Sequence, residues 1–151
     1  MRKNIRYKVF IVLFVLAGIF TSSSVLADTT NAMYRLYNPN SGEHFYTANF
    51  IEARNIINAG WKYEMVGWNA PTTGVPVYRL YNPNVGDHHY TLNASERDML
   101  VNVGWQYEGI GWYSDVQKSV KLYRAYNPNA KSGSHNYTTN YGEQLSIVRA
   151  G

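Results

Sequence analysis

One stretch of sequence occurs three times in this chain, and a chain built from copies is constrained to a repeating fold. Each copy opens with Tyr-Arg-x-Tyr-Asn-Pro and closes with His-x-Tyr-Thr, and the copies start at Tyr34, Tyr78 and Tyr123. Successive copies start 44 and 45 residues apart. A period of this size indicates a repeat architecture, in which a single unit cannot bury its own apolar face.

Each copy carries the signals of a hairpin, a helix and a strand, in that order. Asn-Pro-Asn with a nearby glycine separates two aromatic-rich runs, which predicts a β-hairpin. An asparagine with glutamate three residues later then resembles a capping box, and a later glycine ends a helix of about ten residues. Alternating Trp and Tyr at 61–68 and 105–112 predict a half-buried strand. The predicted fold class is α+β, with three tandem β-hairpin–helix–β-strand repeats in approximate threefold symmetry.

The third repeat is predicted to be incomplete. The repeats cover residues 33–68, 77–112 and 122–151, and the last has no counterpart of the Trp-rich strand. Two explanations are open. Either the chain is a fragment of a longer protein, or the third unit leaves a sheet edge for a partner chain to cover.

The first 27 residues predict a signal peptide. Four basic residues precede an apolar run of 12 residues at 9–20, and Val25-Leu26-Ala27 fits a cleavage site. The run is short for a membrane span, which needs about 20 residues, so an uncleaved anchor is the less favoured alternative. We therefore expect one repeat domain at 28–151, secreted or cell-wall associated, without a stable membrane anchor.

Charge and cysteine content exclude several classes of protein. The chain has a net charge of +4, but four of its 14 basic residues lie in the predicted signal and all ten acidic residues follow it. The exported part is therefore neutral, and we expect no nucleic-acid partner. It has no cysteine for disulfides, so packing must stabilise it, and 13 of the 14 tyrosines and all four tryptophans are available for a core or a binding surface.

One face of the predicted hairpin is identical in all three copies. If Tyr37 pairs with His44, then Arg35 lies opposite Tyr46, and the four side chains share a face. The two extra residues of the third copy (131 and 132) are an even number, which leaves its faces unchanged. The candidate ligand-binding residues are this face in each copy and two tryptophans at its rims: Arg35, Tyr37, His44, Tyr46, Trp68, Arg79, Tyr81, His88, Tyr90, Trp112, Arg124, Tyr126, His135 and Tyr137.

Two interpretations of this identical face are open. It can be a polar-aromatic layer packed between repeats, with arginine stacked on tyrosine and histidine bonded to a hydroxyl. It can also form three shallow pockets for sugar rings, whose weak affinities would combine on a polymer.

The opposite face of the hairpin varies between copies, as packing positions can. Leu36 and Leu80 correspond to Ala125, while Phe45 corresponds to His89 and then to Asn136. Because His89 is unmatched in the other copies, it is predicted to lie on the surface. Glutamates 64 and 108 are predicted on the solvent side of their strands.

Catalysis and metal binding have little support in the sequence. There is no thiol, no serine recurring with a histidine and an acid, and no glycine-rich phosphate loop. His44, His88 and His135 could hold zinc if three repeats closed around an axis, but no repeated carboxylate accompanies them. A two-carboxylate glycosidase site is also an alternative, although catalytic residues need different pKa values rather than copies of one unit. We predict no enzyme, no cofactor and no metal.

The motif Tyr-Arg-Leu-Tyr-Asn-Pro-x-x-Gly-x-His-x-Tyr-Thr, followed by Gly-Trp-x-Tyr-Glu-x-x-Gly-Trp, resembles a secreted bacterial tandem-repeat family of unknown function. Its members stand alone behind signal peptides or act as accessory modules of cell-wall hydrolases. The resemblance covers residues 33–151 and implies an extracellular module that binds glycans. We therefore predict a non-catalytic binding module for peptidoglycan or another surface polysaccharide. The alternative is a protein-interaction module, bacteriocin-like or inhibitory, that docks through the incomplete third repeat.

Overall fold

The computed structural model describes residues 29–151, so the predicted signal peptide lies outside the described residues. Within this range the chain is mixed α and β, with eight strands in three small sheets, three helices and no closed barrel. No helix in this range is long and apolar enough to cross a membrane. The elements are β1 (Thr30–Tyr37), β2 (His44–Thr47), α1 (Phe50–Asn58), β3 (Lys62–Pro71), β4 (Val75–Asn82), β5 (Asp87–Thr91), α2 (Ala94–Asn102), β6 (Gln106–Ser114), β7 (Tyr123–Tyr126), β8 (His135–Thr138) and α3 (Tyr141–Ala150).

The three sheets differ in their number of strands. The first has the order β2-β1-β3, the second β5-β4-β6, and the third contains only β7 and β8. Each hairpin has the predicted register: Tyr37 pairs with His44, and Arg35 with Tyr46. In the third hairpin Arg124 pairs with Tyr137, so the insertion does not change the faces. The predicted hairpin register is confirmed.

Each helix begins after an asparagine that caps it. The Asn49 side chain accepts the N–H groups of Ile51 and Glu52 at 2.9 and 3.2 Å, and α2 and α3 have the same cap. The reciprocal half of the capping box is absent, because the Glu52 carboxylate accepts the hydroxyl of Thr47 at 2.5 Å. That hydroxyl in turn accepts the N–H of Asn49 at 3.0 Å. The asparagine cap is therefore confirmed, and the role expected of the glutamate is wrong.

Three tyrosines form the core where the sheets meet. Tyr46, Tyr90 and Tyr137 are 0, 1 and 5% exposed, and their ring centroids lie 5.4–5.9 Å apart with nearly perpendicular planes. The Tyr90 hydroxyl bonds the backbone N–H and C=O of Tyr46, and the Tyr137 hydroxyl bonds those of Tyr90. The Tyr46 hydroxyl completes the ring by accepting the N–H of Tyr137 at 3.0 Å. Each sheet is thereby tied to both others.

A smaller core lies beneath α1. Leu36, Phe45 and Ala53 are buried there, and Trp61 at the start of β3 packs against them. The tryptophan thus closes the space between the first hairpin and its helix.

Candidate functional site

Residues on the identical face of the hairpins lie at different depths in the protein. Its second tyrosines (Tyr46, Tyr90 and Tyr137) form the buried core, so packing between sheets accounts for them. The arginines and histidines lie farther out, where neighbouring sheets meet. Among the first tyrosines, Tyr37 and Tyr81 are half-buried.

In the first two sheets the arginines lie between two carboxylates from different elements. Arg35 contacts Glu64 of β3 at 2.9 Å and Glu143 of α3 at 2.6 Å. Arg79 contacts Glu108 of β6 at 2.9 Å and Glu52 of α1 at 3.0 Å. Glu64 and Glu108 are exposed, as predicted, and each also contacts the arginine of the central strand in its sheet.

The second histidine site holds an acid that sequence reasoning missed. His88 contacts Glu108 at 3.3 Å and the buried Glu43 at 2.5 Å, and Glu43 also accepts the His88 backbone N–H. Burial alone would lower the pKa of His88, but hydrogen bonds to these two carboxylates outweigh it and raise the pKa. The signal in the sequence was the acidic residue before the histidine in two copies.

The first histidine site has a different balance of charges. His44 lies 3.1 Å from both Glu64 and the Arg35 guanidinium. Burial and the positive charge of Arg35 lower the pKa of His44, and the attraction to Glu64 is too weak to compensate.

The same residues have a more open environment in the third sheet. Arg124 is 46% exposed, and its one ion pair within residues 29–151 is with Glu96, at 3.8 Å. Tyr126 is 63% exposed. Burial, with the nearby charges of His89 and Arg124, lowers the pKa of His135 to about 4.

His89 is buried, so its predicted surface position is wrong. It is 4% exposed, its Nε2 lies 3.0 Å from Glu96, and its ring lies 4.6 Å from the ring of His135. Phe45 occupies the corresponding position one sheet earlier, with its ring 4.7 Å from that of His88. His89 therefore fills the contact between two neighbouring sheets.

Grooves lie at two of the junctions between sheets. The first groove, of about 540 Å³, separates α1 from the second sheet and is lined by Trp61, Arg79 and His88 among others. The other groove, of about 640 Å³, separates α3 from the first sheet, and we call it the third groove because it lies beside the third hairpin. Arg35 and His44 line it at the equivalent positions. Arginines and histidines of the identical face therefore reach open grooves.

The third groove is polar where the first unit has an apolar core. Ala125, Asn136 and Gln144 stand at the positions that Leu36, Phe45 and Ala53 occupy in the first unit. The nitrogen Nδ2 of Asn136 and the oxygen Oε1 of Gln144 are buried and have no hydrogen-bond partner within residues 29–151. Both residues line the groove. The change at Asn136 is visible in the sequence, where variation on this face indicates packing; the groove gives it a different meaning.

Trp68 and Trp112 cover the core tyrosines instead of standing at the rims of the hairpin face. The Trp68 ring lies 5.3 Å from that of Tyr46, and the Trp112 ring 4.8 Å from that of Tyr90. Both tryptophans also line a cavity of about 430 Å³ beside Leu122.

No group of three histidine, aspartate or glutamate side chains within residues 29–151 is placed to hold a metal ion. His44 contacts Glu64 of β3, His88 contacts Glu43 in the turn before β2, and His135 contacts Ser134 at 3.0 Å. The alternative of a three-histidine zinc site on an axis therefore lacks the required convergence.

A model of a protein family described as a domain of unknown function (DUF5648) matches residues 32–151. The chain belongs to this family. No curated protein and no solved structure matches the chain. Both grooves and the third sheet lie inside the matched DUF5648 domain, while the family description carries no activity and no ligand.

Proposed function

We propose that this DUF5648 domain is built from tandem hairpin–helix–strand units around an approximate threefold axis, and that residues 29–151 contain two complete units and the hairpin and helix of a third. Support comes from contacts that repeat from unit to unit and return to the first. The helix glutamate of each unit approaches the hairpin arginine of the next. The pairs are Glu52 with Arg79, Glu96 with Arg124, and Glu143 with Arg35.

We infer that the domain is a secreted, non-catalytic binding module for a surface glycan, such as peptidoglycan or another polysaccharide. The observation that carries this proposal is the pair of buried polar atoms in the third groove, Asn136 Nδ2 and Gln144 Oε1. A buried donor and a buried acceptor without partners each cost about 1–3 kcal/mol. A ligand that bonds both would recover this free energy.

A sugar supplies the groups that this groove lacks. Each hydroxyl both donates and accepts, so neighbouring hydroxyls can satisfy Asn136 and Gln144 together. Arg35 and His44 lie on the same groove and offer further donors, while Tyr126 presents a largely exposed ring for the apolar face of a sugar. Arg35 would also suit a carboxylate on the sugar or on an attached peptide.

The proposal modifies the expectation of three equal pockets. The first groove contains Arg79 and His88, but Phe45, Ile56 and Trp61 give it an apolar wall. We therefore assign the principal glycan site to the third groove. At the first groove, Arg79 and His88 are held in ion pairs with Glu52, Glu108 and Glu43.

Cosedimentation with purified bacterial cell walls tests this function. We expect the wild-type protein to pellet with the walls, and the double variant Asn136→Phe/Gln144→Ala to bind at least about tenfold more weakly. These substitutions install the residues of the first unit and remove the unpartnered groups. Because Asn136→Phe also removes the Oδ1 that accepts the Tyr46 hydroxyl, urea unfolding is used to check that the double variant remains folded. Met99→Ala, an exposed change on α2, is the matched control and should bind like wild type.

A second pair of variants tests the position of the site. Tyr126→Ala should weaken pelleting, whereas Tyr81→Ala, the same position one unit earlier, should leave it unchanged. If wild type stays in the supernatant, the glycan proposal fails. If wild type pellets and the double variant pellets equally, glycan binding stands and the assignment to the third groove fails.

A further inference from the structure

The first groove combines an apolar wall with charged side chains. Phe45, Ile56 and Trp61 form the wall, and Glu52 of α1 and Glu108 of β6 also line the groove. An apolar cleft of about 540 Å³ with a few convergent polar groups has the size and the character of a ligand site.

The charged cluster at this groove contains more acid than base. Glu52 and Glu108 contact Arg79 at 3.0 and 2.9 Å. Glu108 also contacts His88 at 3.3 Å, and the buried Glu43 contacts the same ring. Three carboxylates therefore face one guanidinium and one imidazole, so the cluster is negative whether or not His88 is protonated. Its charge favours a cationic ligand.

Glu108 is the acid best placed to bind such a cation. It is exposed, and both of its closest contacts use Oε2, which leaves Oε1 to accept from a ligand. Glu52, by contrast, uses both oxygens on Thr47 and Arg79. A guanidinium suits this arrangement because its planar donors bind a carboxylate while its face stacks on an aromatic ring such as that of Trp61.

The third groove differs from the first at two matching positions. Ser134 stands where the first unit has the acidic Glu43, and Asn136 stands where Phe45 contributes to the apolar wall. The additional acid and the apolar wall therefore occur together at the first groove. The two grooves share no lining residue.

The first groove continues past the charged cluster. A neighbouring cavity of about 410 Å³ shares Asn49, Glu52 and Arg79 with it and extends to Ile110 and Gly111 of β6. The junction between the first two units therefore has room for a ligand longer than one side chain.

An exposed apolar side chain also lines the first groove. Ile51 is 61% exposed, and the polar Ser95 stands at its position in the second unit. The preceding Phe50 is equally exposed, where the second unit has Ala94. Neighbouring exposed apolar residues are typical of a surface that binds another protein.

We infer that the first groove binds the arginine side chain of an extended peptide segment of another protein. The guanidinium lies at Glu108 and against Trp61, and the aliphatic stem lies along Ile56. Apolar side chains beside the arginine contact Ile51, and the peptide backbone continues into the neighbouring cavity.

Titration of the ¹⁵N-labelled chain with a blocked peptide, acetyl-Ala-Leu-Arg-Leu-Ala-amide, tests the inference. We expect shifts of the Ile51 and Glu108 amides and of the Trp61 indole N–H. A peptide with glutamine in place of arginine should bind at least about tenfold more weakly. The side chain alone, added as n-butylguanidine, should also bind at least about tenfold more weakly than the arginine peptide.

Two variants of the chain separate the charge from the apolar contact. Glu108→Gln should weaken the arginine peptide at least about tenfold and leave the glutamine peptide unchanged, a difference that loss of folding would not produce. Glu64→Gln, the same change at the equivalent position of the first sheet, is the matched control and should bind both peptides like wild type. Ile51→Ser installs the residue of the second unit at an exposed position and should weaken both peptides several-fold.

Four results would overturn the inference. The arginine peptide shifts no signal of the first groove, the glutamine peptide binds equally well, or Glu108→Gln leaves the arginine peptide unaffected. Equal affinity for n-butylguanidine would make a free guanidine the ligand instead of a protein. If Glu108→Gln does not fold, the comparison of the two peptides on wild type and on Ile51→Ser still decides the question.

This inference does not depend on the glycan proposal. Glu108→Gln should pellet with cell walls like wild type, and Asn136→Phe/Gln144→Ala should retain binding of the arginine peptide. Loss of either activity alone therefore identifies which of the two proposals fails.

Discussion

The second and third units contain the same arginine, first tyrosine, histidine and core tyrosine, yet these residues have different surroundings. In the second unit Arg79 and His88 are enclosed by acids from three elements. In the third unit Arg124 is exposed, and within residues 29–151 no third strand places a glutamate beside His135, whose pKa is lowered. The difference teaches that the carboxylates of neighbouring elements decide how firmly this face is held.

The largest effect is expected where the hairpin turn of the third unit contacts that of the first. Gly133 has φ +65°, and a Cβ there would lie 2.5 Å from the backbone of Gly42. Gly133→Ala should lower the free energy of unfolding by roughly 3–5 kcal/mol, from backbone strain and overpacking. Gly86→Ala, at φ +67° with open space, should cost only about 1–2 kcal/mol. Urea unfolding measures both, and equal losses would show that the contact between these turns is absent.

A smaller loss is expected from the core tyrosines. Tyr90→Phe removes the hydroxyl that bonds both the N–H and the C=O of Tyr46, leaving two buried groups without partners. We expect a loss of about 2–4 kcal/mol in urea unfolding. Tyr126→Phe, at an exposed position, is the control and should change stability little. If Tyr90→Phe leaves the free energy of unfolding unchanged, the ring of hydrogen bonds between the three tyrosines is contradicted.

Substituting the arginines should lower the free energy of unfolding by less than substituting the core tyrosine. Arg79→Gln breaks contacts with Glu52 and Glu108, and we expect a loss of about 1–3 kcal/mol, since the cluster is partly exposed to solvent. Arg124→Gln should cost less than about 0.5 kcal/mol because its carboxylate partner lies 3.8 Å away. Thermal and urea unfolding of this pair would sharpen the comparison between units. If Arg124→Gln lowers the free energy of unfolding more than Arg79→Gln does, the comparison between the two units is contradicted.

The smallest effect is expected in the pH dependence. His135 has a folded pKa of about 4, below its usual 6.5, so the unfolded chain takes up a proton first as the pH falls. Stability present above pH 6.5 is therefore lost between about 6.5 and 4, by an amount that solvent screening reduces because the ring is only partly buried. His135→Gln should flatten this acid limb in unfolding measured from pH 7 to 4. The charged groups that face His135 are His89, Arg124, Asp87 and Glu96.

His88 should behave in the opposite direction. Its folded pKa is raised, so its contribution is complete below pH 6.5 and is lost as the pH rises through the folded pKa. Ring-proton chemical shifts followed by NMR should therefore titrate at a higher pH for His88 than for His135. The reverse order would contradict the charge assignment.

The sequence predicted the local structure well because local structure depends on near neighbours. Turn residues, alternation and an even insertion were enough to set each hairpin register, and the asparagines marked the helix starts. Contacts between units could not be predicted from the sequence. Glu43 and His89 are polar residues that are typical of a protein surface, but the packing of adjacent sheets buries both. Glu43 contacts His88, and His89 contacts Glu96.

The candidate site was predicted only in part. The identical face identified arginines and histidines that reach the grooves, but the same identity concealed the burial of Tyr46 and its equivalents. The most informative signal lay on the variable face. There Asn136 stands where the first unit has Phe45, and a polar residue at a core position can be interpreted only when the groove beside it is known.

Amide hydrogen exchange of the central strands tests the account most directly. Alternate residues of an antiparallel strand direct their N–H groups to opposite neighbours, so about half of the amides of β7 face away from β8. We predict that these amides exchange at least about a hundredfold faster than their equivalents in β1 and β4, because β7 pairs only with β8 within residues 29–151. Uniform protection across all three strands would contradict the account.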